Sequence, residues 1–257
     1  MAMRANRRRS SLQDLAPFLA GAAAIAAWKV LVVLAAYPTF VLPAPEQVAA
    51  RFVSGWVDGT IGPHAARTVV EVLLGFGSGA SVAIMVGYAL ARLPHAERVL
   101  SPYIVSAQAI PILALAPLLA LWFGPGLTSK VVICALIVFF PVAISTMVGV
   151  RAVDAKLLEL ARSLRATRRQ VVLTLELPAA LPTIFGGLRV GVTLAVVGAI
   201  VGEWAGADRG LGVLVNLARG SLFDTPLMFA TLLTIALLGV ALYGVVVIAE
   251  RALVGRR

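Results

Sequence analysis

"VVICALIVFFPVAISTMVGV", residues 131–150, runs for twenty residues without a single charge. The hydrocarbon core of a bilayer asks about 20 predominantly apolar residues of a helix that crosses it. Working outward, residues 72–91, 99–129 and 225–249 are also free of Asp, Glu, Lys and Arg. Two further apolar runs carry one cation each, Lys29 in residues 15–36 and Arg189 in residues 181–202. The chain of 257 residues is 60% hydrophobic and 13% charged, where soluble domains carry about 25% charged residues. The expectation is an all-α polytopic membrane protein with six transmembrane helices.

The N-terminus, "MAMRANRRRSSLQ", precedes an apolar stretch in the manner of a signal peptide, and Arg8-Arg9 resembles a twin-arginine signal. That stretch is longer than a signal's apolar region, and five more apolar runs follow. Residues 1–14 are therefore read as a basic cytoplasmic leader and residues 15–257 as the membrane domain. Crossing six times from an inside start places fifteen basic residues within: Arg4, Arg7, Arg8, Arg9, Arg92, Arg98, Arg151, Lys156, Arg162, Arg165, Arg168, Arg169, Arg251, Arg256 and Arg257. Five fall outside: Arg51, Arg67, Lys130, Arg209 and Arg219. Cytoplasmic loops carry the excess of Lys and Arg, so both termini are expected in the cytoplasm. The net charge of +10 then reflects topology and does not call for nucleic acid.

The longest inside loop, about residues 151–180, contains "LLELARSLRATRRQVVLTLELPAALP" from residue 157 to 182. Leu157, Ala161 and Leu164 recur at i, i+4 and i+7, while Lys156, Glu159, Arg162 and Ser163 fall elsewhere, the pattern of a short amphipathic helix. Such a helix fits either an anionic lipid surface or a groove on a partner. The order Glu159-Leu160-Ala161, a turn near Arg165-Ala166, Leu175, then Leu177-Pro178 resembles the loop motif of binding-protein-dependent ABC importer permeases. Leu160 replaces the motif's first alanine, and Arg165 stands at its glycine, where positive φ is cheap for glycine only. "LPAPEQV", "IPILALAPLLALWFGPG", "FFPV", "LPAALPTIFGGLRVG" and "GEWAGADRGLG" extend the resemblance over residues 43–251, toward the nitrate, sulfonate and taurine branch.

The resemblance implies a type I importer permease core in a bacterial inner membrane. It implies a homodimer, two copies of an ABC ATPase and an extracytoplasmic solute-binding protein. The loop would be a coupling helix whose Leu157, Glu159, Ala161, Leu164 and Arg165 face the ATPase, with Glu159 and Ala161 in direct contact. ATP-driven closure would swing the spans between inward- and outward-open states. The solute implied is nitrate, an alkanesulfonate or taurine, with a thiamine-related pyrimidine precursor or another small organic solute as the alternative.

The residues themselves supply no phosphate loop: "GPGLTSK" at residues 124–130 lacks the second glycine. His64 and His95 are isolated, HExxH is absent, and the single cysteine, Cys134, lies in an apolar run. No catalytic group, metal site or cofactor is expected. An ion-coupled secondary transporter would need a coupling carboxylate at the midplane, and no charge-free run holds one. A membrane anchor would leave the polar loop without a motor.

Gly75, Gly79, Ala83, Gly87 and Ala91 recur every four residues, as do Gly187, Gly191, Ala195 and Ala199. Small residues at that spacing let helix backbones approach; packing inside one subunit is favoured over a seam between subunits. Ser106 and Gln108 precede Pro111, which should kink the third span. These two are candidates for the translocation path, with a bond from Gln108 to a neighbouring helix equally open. Glu71, Glu203 and Asp208 are expected near the interfaces, solvated.

Overall fold

A computed structural model describes residues 2–255; Met1, Arg256 and Arg257, the last two counted among the inside charges, lie outside them. The described chain is helical: α1 (Ala2–Ala35), α2 (Pro45–Val57), α3 (Gly62–Arg92), α4 (Pro94–Gln108), α5 (Ile112–Phe123), α6 (Leu127–Arg151), α7 (Ala155–Ser163), α8 (Arg168–Val171), a π-turn (Val172–Glu176), α9 (Leu177–Trp204), α10 (Leu211–Gly220) and α11 (Thr225–Val254). Among the described residues five segments are long and apolar enough to cross a membrane: 18–35 within α1, α3, α6, the continuous rod 168–204, and α11. The third expected span differs. Residues 99–129 fall mainly in α4 and α5, whose axes turn by 94°. Pro111 does more than kink: it is the extended N-cap of α5, and α4 closes at Gln108 with Ala109 N donating to Ser106 O at 3.1 Å.

Two compact units divide the chain, residues 1–60 with 215–231, and residues 61–214 with 232–257. In the first, Trp28 stacks on Phe229 with ring centroids 5.9 Å apart. Lys29, the cation of the first apolar run, pairs with Glu46. Arg51 Nε donates to Asp224 Oδ2 at 2.8 Å, and Thr225 Oγ1 donates to the Phe40 carbonyl at 3.1 Å.

In the second unit α6 is the central helix, and the small residues of α3 and α9 both turn toward it. A Cβ at Gly79 would stand 2.6 Å from Ala135 O and 2.7 Å from Ala135 Cα, while Gly75 and Gly87 press as closely on Cys134 and Ala143. On the other flank a Cβ at Gly187 would stand 2.6 Å from Ser145, and one at Gly198 would reach Cys134 Cα at 3.1 Å. Both stripes therefore pack within one chain. Lipid offers no hydrophobic drive for helices to associate, so close van der Waals approach must hold them. Val72, Ala80, Ala83, Val138, Val142, Ala195 and Ala199 fill the seam, while Leu73, Met85, Val190 and Val197 face outward.

Gly79→Ala should lower stability by about 1–3 kcal/mol, because the methyl meets backbone that cannot rotate away. Gly77→Ala, whose Cβ meets nothing within 4 Å, should be neutral or stabilise by about 0.5–1 kcal/mol. Thermal unfolding of the two variants in the same detergent checks the contrast.

Candidate functional site: helical loop and polar latch

The loop after α6 builds the expected amphipathic helix. Asp154 caps it, accepting from Lys156 N at 2.9 Å. Leu157, Glu159, Leu160 and Leu164 are exposed, Leu164 at 72%. Ala161, on the same helix, is buried at 8%. The helix ends in a left-handed turn, with Arg165 at φ 54°. Arg165 N donates to Arg162 O and Ala166 N to Ala161 O, each at 2.9 Å, the paired bonds of a Schellman cap. The sharp turn that glycine would favour is thus made by arginine, at a cost of about 1–2 kcal/mol for the L side chain.

α8 starts afresh at Thr167, which exchanges bonds with Gln170 as a capping box. Pro178 has no N–H to offer the carbonyl one turn back, and the helix widens into the π-turn just before it. Both ends of the loop are stapled. Arg151 at the end of α6 grips both oxygens of Glu97 on α4. Glu176 in the π-turn, 2% exposed, pairs with Arg92 at 2.6 Å and accepts from Tyr88 OH at 3.1 Å, both from α3. Sequence reasoning passed over Glu176, although an acid inside "LTLELP" facing a span-ending arginine is the signal that marks it.

At the opposite end of the 168–204 rod lies a buried polar cluster. Glu71, Lys130 and Glu203 are 0%, 1% and 2% exposed, so Glu71 and Glu203 are not solvated at an interface as their positions suggested; Asp208 is exposed. The Glu203 carboxylate accepts from Thr68 Oγ1 at 2.5 Å and from the Gly212 N–H. Thr68 Oγ1 in turn accepts from Leu211 N at 2.9 Å. Gly210, at φ 145°, lies against Glu203 where no Cβ fits. His64, far from isolated, sets Nδ1 2.8 Å from Gly210 O. Arg67 Nε donates to Glu71 Oε1 at 2.9 Å. Lys130, counted among the five outside charges, donates to Pro125 O and Gly206 O from the first turn of α6. Charges withdrawn from water need such partners, and these lock "GEWAGADRGLG" onto α3 and α6.

Ser106 and Gln108 end α4 at the break; both are exposed, and Ser106 Oγ donates to Pro102 O at 2.7 Å.

Membrane-length helices cinched by glycine, with a stapled helical loop at one end and a polar latch at the other, define a multi-pass membrane protein. The chain belongs to the binding-protein-dependent transport system inner membrane components, whose family model matches residues 79–255. It is 45% identical over 227 residues to the riboflavin transport system permease protein RibX of Chloroflexus aurantiacus, covering 88% of this chain and 84% of that one. It is 33% identical over 230 residues to the formylaminopyrimidine transport permease protein ThiX of Halalkalibacterium halodurans, covering 90% and 91%. It is 34% identical over 216 residues to the taurine transport system permease protein TauC of Escherichia coli, covering 82% and 78%. Its fold matches a chain of an inward-facing MetNI methionine ABC transporter at TM-score 0.59 and 22% identity, covering 73% of this chain and 91% of that one. It is the permease subunit of a bacterial ABC importer, a multi-pass protein of the inner membrane that works with an ATPase and a solute-binding protein. ATP hydrolysis resides on the separate ATPase chain.

Arg165→Gly should relieve the left-handed strain and stabilise the loop by about 1 kcal/mol, read as slower amide exchange at Ala166, whose N–H closes the cap. Thr68→Val keeps shape but orphans the Leu211 N–H and one Glu203 oxygen, at about 1–3 kcal/mol for each buried group. A lowered unfolding midpoint in detergent is the expected result.

Proposed function

We propose that the imported solute is a flat heterocyclic vitamin or precursor of the riboflavin or formylaminopyrimidine kind. The observation that carries this reading is the 45% identity to a riboflavin permease over 88% of the chain, against 34% to the taurine permease. A sulfonate or taurine is the second reading, favoured by that latter likeness.

In the proposed arrangement both termini lie in the cytoplasm, residues 1–14 form the leader, and two copies of the 15–257 domain enclose the pathway. The ATPase docks on loop 151–180 through Leu157, Glu159, Leu164 and Arg165, while Ala161 supports that surface from inside. The exposed leucines beside Glu159 and the two staples give the reading its physical basis. A push on α7 passes through Glu97 to α4 and through Glu176 to α3, and the continuous rod 168–204 carries it to the Glu203 latch. Ser106 and Gln108 line the route at the broken span, where the turn of 94° frees polar groups from a regular helix.

Burying a leucine contributes about 1.5–3 kcal/mol, roughly ten- to 150-fold in association at ~1.4 kcal/mol per decade. Leu164→Asp should therefore lose ATPase co-purification and uptake by at least about tenfold, with the isolated subunit's unfolding midpoint unchanged. Assembly and transport equal to the parent would remove residues 157–165 from the docking surface. Proteoliposomes holding the permease, its ATPase and its binding protein should accumulate riboflavin or formylaminopyrimidine; uptake of taurine alone would overturn the solute reading.

A further inference from the structure

Arg189 is the cation within the fifth apolar run, and its bonding is incomplete. One Nη donates to Glu250 on α11, but the Nε–H is buried without a partner. On α11, Tyr243, Val247, Glu250, Arg251 and Val254 share one face, and with Arg189 they line a cavity of about 490 Å3. Two guanidiniums against one carboxylate leave the cavity one net positive charge.

Arg189 stands fifteen residues before the end of α9 at Trp204, about 22 Å of helix rise. Glu250 stands twenty-five residues from the opposite-running start of α11, about 37 Å. A hydrocarbon core about 30 Å thick thus ends between them, and the Arg189 side chain reaches from inside it toward water, as long cationic side chains do near span ends. The wall is partly apolar: Val247 and Val254 line the cavity, and Val240, one turn before Tyr243 on the same face of α11, is more than half exposed.

We propose that this cavity holds the phosphate of an anionic phospholipid, bonded by the incompletely paired Arg189 guanidinium, by Arg251 and by the Tyr243 hydroxyl, with acyl chains lying along Val240 and Val247. A guanidinium matches a phosphate with parallel N–H donors, and basic pockets between spans at a water boundary bind anionic headgroups. The chemistry recognised is a phosphate anion; the valines of the cavity wall assign it to a lipid rather than to free phosphate.

The test uses the purified full-length subunit in phosphatidylcholine nanodiscs, with phosphatidylglycerol replacing part of the lipid in one arm and inorganic phosphate added in another. Phosphatidylglycerol should raise the unfolding midpoint by about 3–6 °C near tenfold saturation and survive as an adduct in native mass spectrometry. Inorganic phosphate alone should do neither. Arg189→Gln and Arg251→Gln should abolish the shift and the adduct. Arg251 is exposed, so its variant keeps the fold even where Arg189→Gln does not. Equal midpoints in the two lipids, a shift that survives Arg251→Gln, or the same shift from inorganic phosphate without the anionic lipid would each overturn the proposal.

Discussion

The approach of α3 and α9 to α6, closer than any side chain allows, is the constraint on which the second unit depends. Gly75, Gly79 and Gly87 on one flank and Gly187, Gly198 and Gly202 on the other leave no room for a Cβ without displacement. In water such helices would be driven together by their apolar faces. In lipid they are held by contact density, which falls steeply with even a small gap. This closeness also fixes the register of three helices. Lys130 can reach the Gly206 carbonyl, and Thr68 can reach Glu203, only because the backbones that carry them are pinned.

That register makes sense of polar groups placed at opposite ends of one rod. Near its start, Glu176 ties the π-turn to Arg92 and Tyr88. Near its end, Glu203 holds the Gly210–Gly212 backbone. Between the two charges, residues 177–202 carry Arg189 as their only charged side chain. The helix is gripped at both ends, and between them its single charge, Arg189, pairs with Glu250 on α11. Its hydrogen bonding loosens at the π-turn directly beside the loop and again at Pro182, whose ring nitrogen has no N–H to give.

The departures from the family's loop motif have different physical consequences. Leu160 in place of alanine adds an exposed apolar side chain to α7, so the surface facing away from the subunit is greasier than the motif alone suggests. Arg165 in place of glycine does not alter the turn. The φ of 54° and both cap bonds are present, and the difference is carried as strain. The retained alanine, Ala161, is the residue that faces inward, as a small group beneath a tight cap must.

The sequence by itself determined the class of fold, because charge-free runs of bilayer length have one solution in lipid, a helix that bonds its own backbone. It also determined the loop's amphipathic pattern and the two small-residue stripes, since each is a matter of spacing along one helix. Only the tertiary structure decided which way Ala161 points, that the stripes converge on the same helix, and that the third apolar run breaks at Pro111 rather than bending. It alone joined His64, Thr68, Glu71, Lys130, Glu203 and Gly210 into one cluster. Burial of a carboxylate is set by neighbours far off in the chain, such as Thr68, 135 residues before the Glu203 to which it donates. A spacing rule reads contacts a turn or two apart and has no access to those.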